Sequence, residues 1–118
     1  MPIEEWRPYL YLVVASVCAA VGQVLFKVGA VGREHWQDYF NAPLMFGLAS
    51  YGAGTLLWII ALSKVPLKVV YPFTVLTFVL VYAGATLVLG ERLSMRGIVG
   101  MIVVLAGLAI IVSESAAQ

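Results

Sequence analysis

Pro8-Tyr-Leu-Tyr-Leu-Val-Val-Ala-Ser-Val-Cys-Ala-Ala-Val-Gly-Gln-Val-Leu-Phe26 contains no charged side chain. Three further stretches share that property: Tyr39 to Ser63, Val69 to Gly90, and Gly97 to Ser113. The hydrocarbon core of a bilayer takes about 20 residues of helix, at roughly 1.5 Å per residue. In that medium every backbone polar group needs an internal partner, so only helices and closed barrels span it. Barrel strands alternate in polarity at every second residue, and these runs do not. The expected fold is an all-α integral membrane protein, a single domain over 1–118 with four transmembrane helices at about 9–31, 43–63, 67–90 and 95–113.

Composition narrows the class further. The 118-residue chain is 63% hydrophobic and 11% charged, against roughly 25% charged in a soluble domain. Four spans use most of its length and leave no room for a soluble catalytic domain. A net charge of +1 gives no electrostatic reason to expect nucleic acid. The lone cysteine, Cys18, lies mid-span, has no intrachain partner and reads as packing. Glu4 and Glu5, with no cleavage site of the A-x-A kind, argue against a cleavable signal peptide.

Tight connections separate the spans. Ser63-Lys64-Val65-Pro66 forms a hairpin, with Pro66 suited to a first helical turn. Ser94 is the expected N-cap of the last helix. Trp6, Tyr9 and Tyr11 mark one interface, and Trp36, Tyr39 and Phe40 the other. Arg7, Lys64 and Lys68 fall on the side of the termini, and Arg33, Arg92 and Arg96 on the opposite side. Lys/Arg bias sets orientation, and here the two sides nearly balance. Both a single orientation and dual insertion with antiparallel dimers are open.

Polar residues inside spans are costly and are functional candidates by default. In helix 1, Ser16, Ala19, Ala20, Gln23 and Lys27 recur at three- and four-residue spacing and make one small, polar face. Lys27 lies close enough to the helix end to snorkel to the headgroups instead. In the third span Pro72 lacks an N–H and crowds the carbonyl of Lys68, so a kink is expected there. Thr74, Phe78, Tyr82 and Thr86 continue as a second stripe, with Thr86 read as interhelical packing. Tyr71, beside the kink, and Tyr51 are cavity candidates, whereas Trp58, near a span end, reads as an interface anchor. Gly100 and Gly107 lie seven apart on one face of helix 4 and read as a helix–helix contact. Glu91, Arg92 and Arg96 form a solvated turn or a phosphate-binding cluster. His35 is the only histidine, so no metal-ligand set exists. No catalytic triad or nucleotide fingerprint is present either, and neither enzyme activity nor a cofactor is expected.

Ala20-Val-Gly-Gln-Val-Leu-Phe-Lys27, Val65-Pro-Leu-Lys-Val-Val-Tyr-Pro72 and Leu89-Gly-Glu-Arg-Leu-Ser94 ahead of Gly97-Ile-Val-Gly100 together resemble the drug/metabolite transporter superfamily, of EamA-like type. The resemblance covers essentially all four helices and points to two branches. Small multidrug resistance proteins are four-helix antiparallel dimers that exchange cations for protons. They need a membrane-embedded glutamate where this chain has Ala19. Their helix-3 aromatic is Thr74 here, although Tyr51, Tyr71 and the Gly100/Gly107 pair match. The second branch is the ArnE/ArnF-like group, subunits of a flippase for undecaprenyl-phosphate-linked aminoarabinose in lipopolysaccharide modification. Gly22-Gln23, Lys27, Tyr71-Pro72 and Glu91 look like that branch.

What the resemblance implies is a flippase or flippase subunit for a polyprenyl-phosphate-linked sugar in the bacterial inner membrane. A homodimer, or a heterodimer with a second four-helix subunit, comes with it. The implied substrate contacts are Gln23, Lys27, Tyr51, Tyr71, Thr74, Glu91 and Arg92. A cation/proton exchanger is the alternative, and a non-transporting assembly subunit the second alternative.

Overall fold

The computed structural model describes residues 3–117 and, within them, leaves aside the side chains of residues 3–5, 112 and 114–117. Glu4 and Glu5, used above in the signal-peptide argument, are among these and lie outside the described side chains. Among the described residues the secondary structure is helical, without a strand. Helix α1 runs Ile3–Ala30, α2 Ala42–Leu62, α3 Leu67–Val70, α4 Phe73–Leu87 and α5 Met95–Ala117, with a 3-10 turn at Trp36–Tyr39. Trp6–Ala30, Ala42–Leu62 and Leu67–Leu87 are each long and apolar enough to cross a bilayer, and Met95–Ile111 adds a shorter apolar segment.

The third span was expected to be one helix over 67–90. It is two pieces, and α4 ends at Leu87. The break falls at Tyr71-Pro72, where proline cannot donate to the preceding turn. Thr74 N–H reaches the Tyr71 carbonyl at 2.9 Å and Val75 N–H the Pro72 carbonyl at 3.0 Å, three-residue bonds that bridge the gap. The helix stops early because the chain turns through Gly90 at φ +70°, a conformation open to glycine at little cost. Ser94 caps α5 by accepting from Gly97 N–H at 3.0 Å.

Helix α1 is the hub. It packs along α2 and, on another face, along α4. Glycines set the α1–α2 distance. A Cβ on Gly22 would lie 2.8 Å from the Gly47 carbonyl oxygen, and one on Gly54 would lie 2.9 Å from that of Ala15. Asn41 locks the far end: its Nδ2 donates to the Gly29 carbonyl at 2.9 Å, while its Oδ1 accepts from Leu44 N–H at 3.1 Å and so caps α2. At the other end Leu12, Ala61, Val65 and Val70 form a buried apolar cluster, with Trp58 and Phe73 against it.

Helix α5 contrasts with the rest. It meets α4 and α3 sparsely, and Val103, Ile110 and Ile102 are 59–70% exposed. Most outward side chains on the long helices are apolar, such as Leu10, Phe46 and Leu56. A soluble monomer rarely exposes so continuous an apolar surface, whereas lipid solvates it.

Candidate functional site

Helices α1, α2 and α4 leave an open groove of about 480 Å³ between them. From α1 it takes Ala15, Ala19 and Gln23, at successive four-residue steps. From α2 it takes Tyr51, Gly54, Thr55 and Trp58; from α4, Thr74, Thr77, Phe78 and Val81. The lining residues all belong to the three helical segments long and apolar enough to cross a bilayer. The close α1–α2 approach at Gly22 and Gly54 brings Gln23 and Tyr51 to one wall. The bond from Ser16 fixes the other: its Oγ lies 2.9 Å from the Leu12 carbonyl oxygen and 3.2 Å from that of Phe73. Ser16 is buried and ties α1 to the first residue of α4. Phe26 packs on the Tyr51 ring, centroids 5.8 Å apart, and so holds that side chain in place.

Of the residues expected to contact substrate, Gln23, Tyr51 and Thr74 line this groove. Lys27, Tyr71, Glu91 and Arg92 do not, and each has a physical reason. Lys27 follows Gln23 by one turn and is exposed as Gln23 is, but it stands nearer the helix end, where a long stem carries its ammonium toward the headgroups. Tyr71 sits on the break before α4, and is 64% exposed. Glu91 and Arg92 lie beyond the end of α4, both exposed. Trp58, read as an interface anchor, lines the groove instead, because the apolar cluster around Ala61 and Leu12 holds the end of α2 inward.

Thr55 and Thr77 escaped the sequence reading. Thr77 stands three residues after Thr74, off the four-residue stripe. Along that stripe Tyr82 turns to α5, its hydroxyl against Gly97. Thr86 bonds back to the Tyr82 carbonyl at 3.0 Å. Gly100 and Gly107 have nothing within 4 Å of where a Cβ would stand. Among the described residues there is no cluster of three or more His, Cys, Asp or Glu side chains fit to hold a metal.

A bundle of bilayer-length apolar helices around a largely apolar groove that gathers uncharged polar side chains fits a small multi-pass membrane transporter. No protein-family model matches the chain. It is 31% identical over 103 residues to a protein of Aeromonas salmonicida strain A449 named a probable 4-amino-4-deoxy-L-arabinose-phosphoundecaprenol flippase subunit ArnE, covering 83% of this chain and 90% of that one. A Yersinia pestis protein of the same name is 34% identical over 104 residues, covering 85% and 91%. The chain belongs to this family of ArnE flippase subunits.

Proposed function

We propose that this protein is one subunit of a flippase that carries a polyprenyl-phosphate-linked sugar across the bacterial inner membrane, with no enzymatic chemistry of its own. The observation that carries the reading is the groove that gathers Gln23, Tyr51, Thr74 and Thr77 in a chain whose surface is otherwise largely apolar. The relatives from Aeromonas and Yersinia, named for a phosphoundecaprenol-linked sugar, support it. An isoprenoid tail stays in lipid throughout such a passage. The barrier is the headgroup, whose burial without partners costs several kcal/mol.

The four spans act as one domain. Lys27, one turn from Gln23, meets the phosphate at the groove's end, and Arg92 and Glu91 contact the headgroup where it enters or leaves. Tyr71 serves at the break as α4 moves. Relatives are named as subunits, and a dimer fits this chain too, with a second copy or a second four-helix subunit seated on the Gly100/Gly107 face.

Transport of a polyprenyl-phosphate sugar in proteoliposomes holding the protein and its partner subunit tests the reading. Absence of transport rejects it. Lys27→Ala should slow transport at least tenfold, and an unchanged rate removes Lys27 from the phosphate role. Ala19 stands in the groove where an exchanger needs a carboxylate. Tetraphenylphosphonium is therefore expected neither to bind nor to release a proton between pH 6 and 8. A Gln23/Lys27/Tyr71 triple alanine variant that still supports transport would favour an assembly role instead.

A further inference from the structure

A second groove, of about 360 Å³, runs between α1 and α4. On α1 it uses Val17, Val21 and Val24, two residues or nearly so out of step with Ala15, Ala19 and Gln23, and hence the opposite side of that helix. It reaches from Val17 to Leu25 on α1 and from Leu80 to Val88 on α4, without a polar side chain in its lining. Gly84 makes its floor, since a Cβ there would stand 2.7 Å from Val24 Cγ2. The two helices run in the same direction, because Ser16 meets Phe73 and Val24 meets Gly84. At 1.5 Å per residue the groove is about 12 Å long. Val17 stands near the middle of the apolar segment Trp6–Ala30, and the groove runs from there toward the Ala30 end alone. Half of a hydrocarbon core is about 15 Å, so the groove is one leaflet deep. Toward the other leaflet α1 and α4 are already joined, by the Ser16 bond and by the Tyr9 and Phe73 rings, centroids 6.4 Å apart.

That shape decides what can fill it. A helix of a second copy is about 10 Å across and crosses both leaflets, so it would rest on the joined half as well. An acyl chain is narrow and belongs to one leaflet. Walls with no atoms opposite them forfeit dispersion contacts, and a chain lying along the groove restores these. The mouth supplies charge. Lys27 follows Val24 by three residues, and Glu91 and Arg92 follow Val88 by three and four. All three are exposed, and among the described residues their side chains make no hydrogen bond or ion pair. Arg33 is turned back onto the Gly29 carbonyl, 2.9 Å away. Two cations against one carboxylate leave one positive charge, which complements the single negative charge of a phosphodiester. Basic sites between transmembrane helices hold anionic headgroups in this way.

We propose that the α1–α4 groove holds one acyl chain of an anionic phospholipid from the leaflet on the Lys27 side, with its phosphate at Lys27 and Arg92. This resident lipid completes the packing of α4 on α1 and is not carried across the membrane. Lys27 is also one turn from Gln23, so a phosphate held here keeps the ammonium paired when the other groove is empty.

Lipid retention by the whole protein, counted by native mass spectrometry from a mild detergent, is the test, and it needs no transport. Dioleoylphosphatidylglycerol should stay bound at one copy per chain, at least fivefold more tightly than dioleoylphosphatidylcholine. Val21, 46% exposed at the rim, can take a larger side chain without displacing a packed neighbour. Val21→Phe should weaken both lipids at least fivefold with helix content unchanged, and Leu56→Phe, on the outward face of α2, should weaken neither. Lys27→Gln should bring the two lipids within twofold of each other. Equal retention of the two lipids by the wild-type protein overturns the proposal, as does an unchanged preference in Lys27→Gln. So does full retention in Val21→Phe, or a loss that Leu56→Phe reproduces. A polyprenyl phosphate held more tightly than phosphatidylglycerol and released by Val21→Phe also overturns it, by making the groove a berth for a transported lipid. A disulfide between two copies carrying Val21→Cys and Cys18→Ser, formed in membranes, does so by putting a second chain over the groove.

Discussion

Three pairs of glycines lie seven residues apart within a single helix of this chain, and their fates differ. Gly22 and Gly29 on α1, and Gly47 and Gly54 on α2, line the α1–α2 seam, where added Cβ atoms would stand about 2.8–2.9 Å from atoms across it. Gly100 and Gly107 on α5 face open space. Lipid tails solvate Leu and Val as well as a neighbouring helix does, so close approach of small residues has to supply the attraction between spans. One seam is therefore already used within the protomer. The other is a surface of the same design with nothing yet on it.

The largest effect should come from breaking the used seam. Gly22→Leu forces a side chain against the Gly47 carbonyl and the Tyr51 backbone, and neither can move without the helix moving. Overpacking of this kind costs about 1–3 kcal/mol or more. Folded yield in mild detergent should fall sharply, with a lower SDS midpoint for what survives. Wild-type stability would show that the seam is looser than these distances imply.

The bare pair should behave in the opposite way. Leucine at both Gly100 and Gly107 should leave helix content and the SDS midpoint within error and cut the crosslinked dimer several-fold. A dimer yield that does not change would assign the α5 glycines no role between subunits.

A smaller effect sharpens the other packed face of α1. Ser16→Ala removes the only side-chain bond from α1 to α4 among the described residues. A loss of about 0.5–1.5 kcal/mol is expected, read as a modest SDS-midpoint shift. Thr86→Val, which removes a hydroxyl bonded only to its own helix, should change stability least, by less than about 0.5 kcal/mol. Equal effects at the two positions would mean that Ser16 contributes nothing across the interface.

Much of this architecture was legible in the sequence, for plain reasons. Uncharged runs of bilayer length announce spans whatever their packing, and Pro72 marks the interruption because its missing N–H is a local property. Gln23, Tyr51 and Thr74 stand out as polar side chains among apolar ones. The rest depends on which helix meets which. Seven-residue spacing is identical in the seam and on the bare face, so the sequence points to α5 and passes over the α1–α2 contact. Trp58 near a span end looks like an anchor until the buried Leu12–Ala61 cluster draws it in. Thr77 is ordinary until α4 is set against the groove, and Lys27 differs from Gln23 only in how far its stem reaches.

The Ser16 hydroxyl has one proton and two carbonyls within reach, at 2.9 and 3.2 Å. A lone interhelical bond in oil would resist any parting of α1 and α4, because breaking it would strand a donor. Here Leu12 offers the same proton a second acceptor on its own helix, so a parting of α1 and α4 would strand no donor even in a medium that supplies no water.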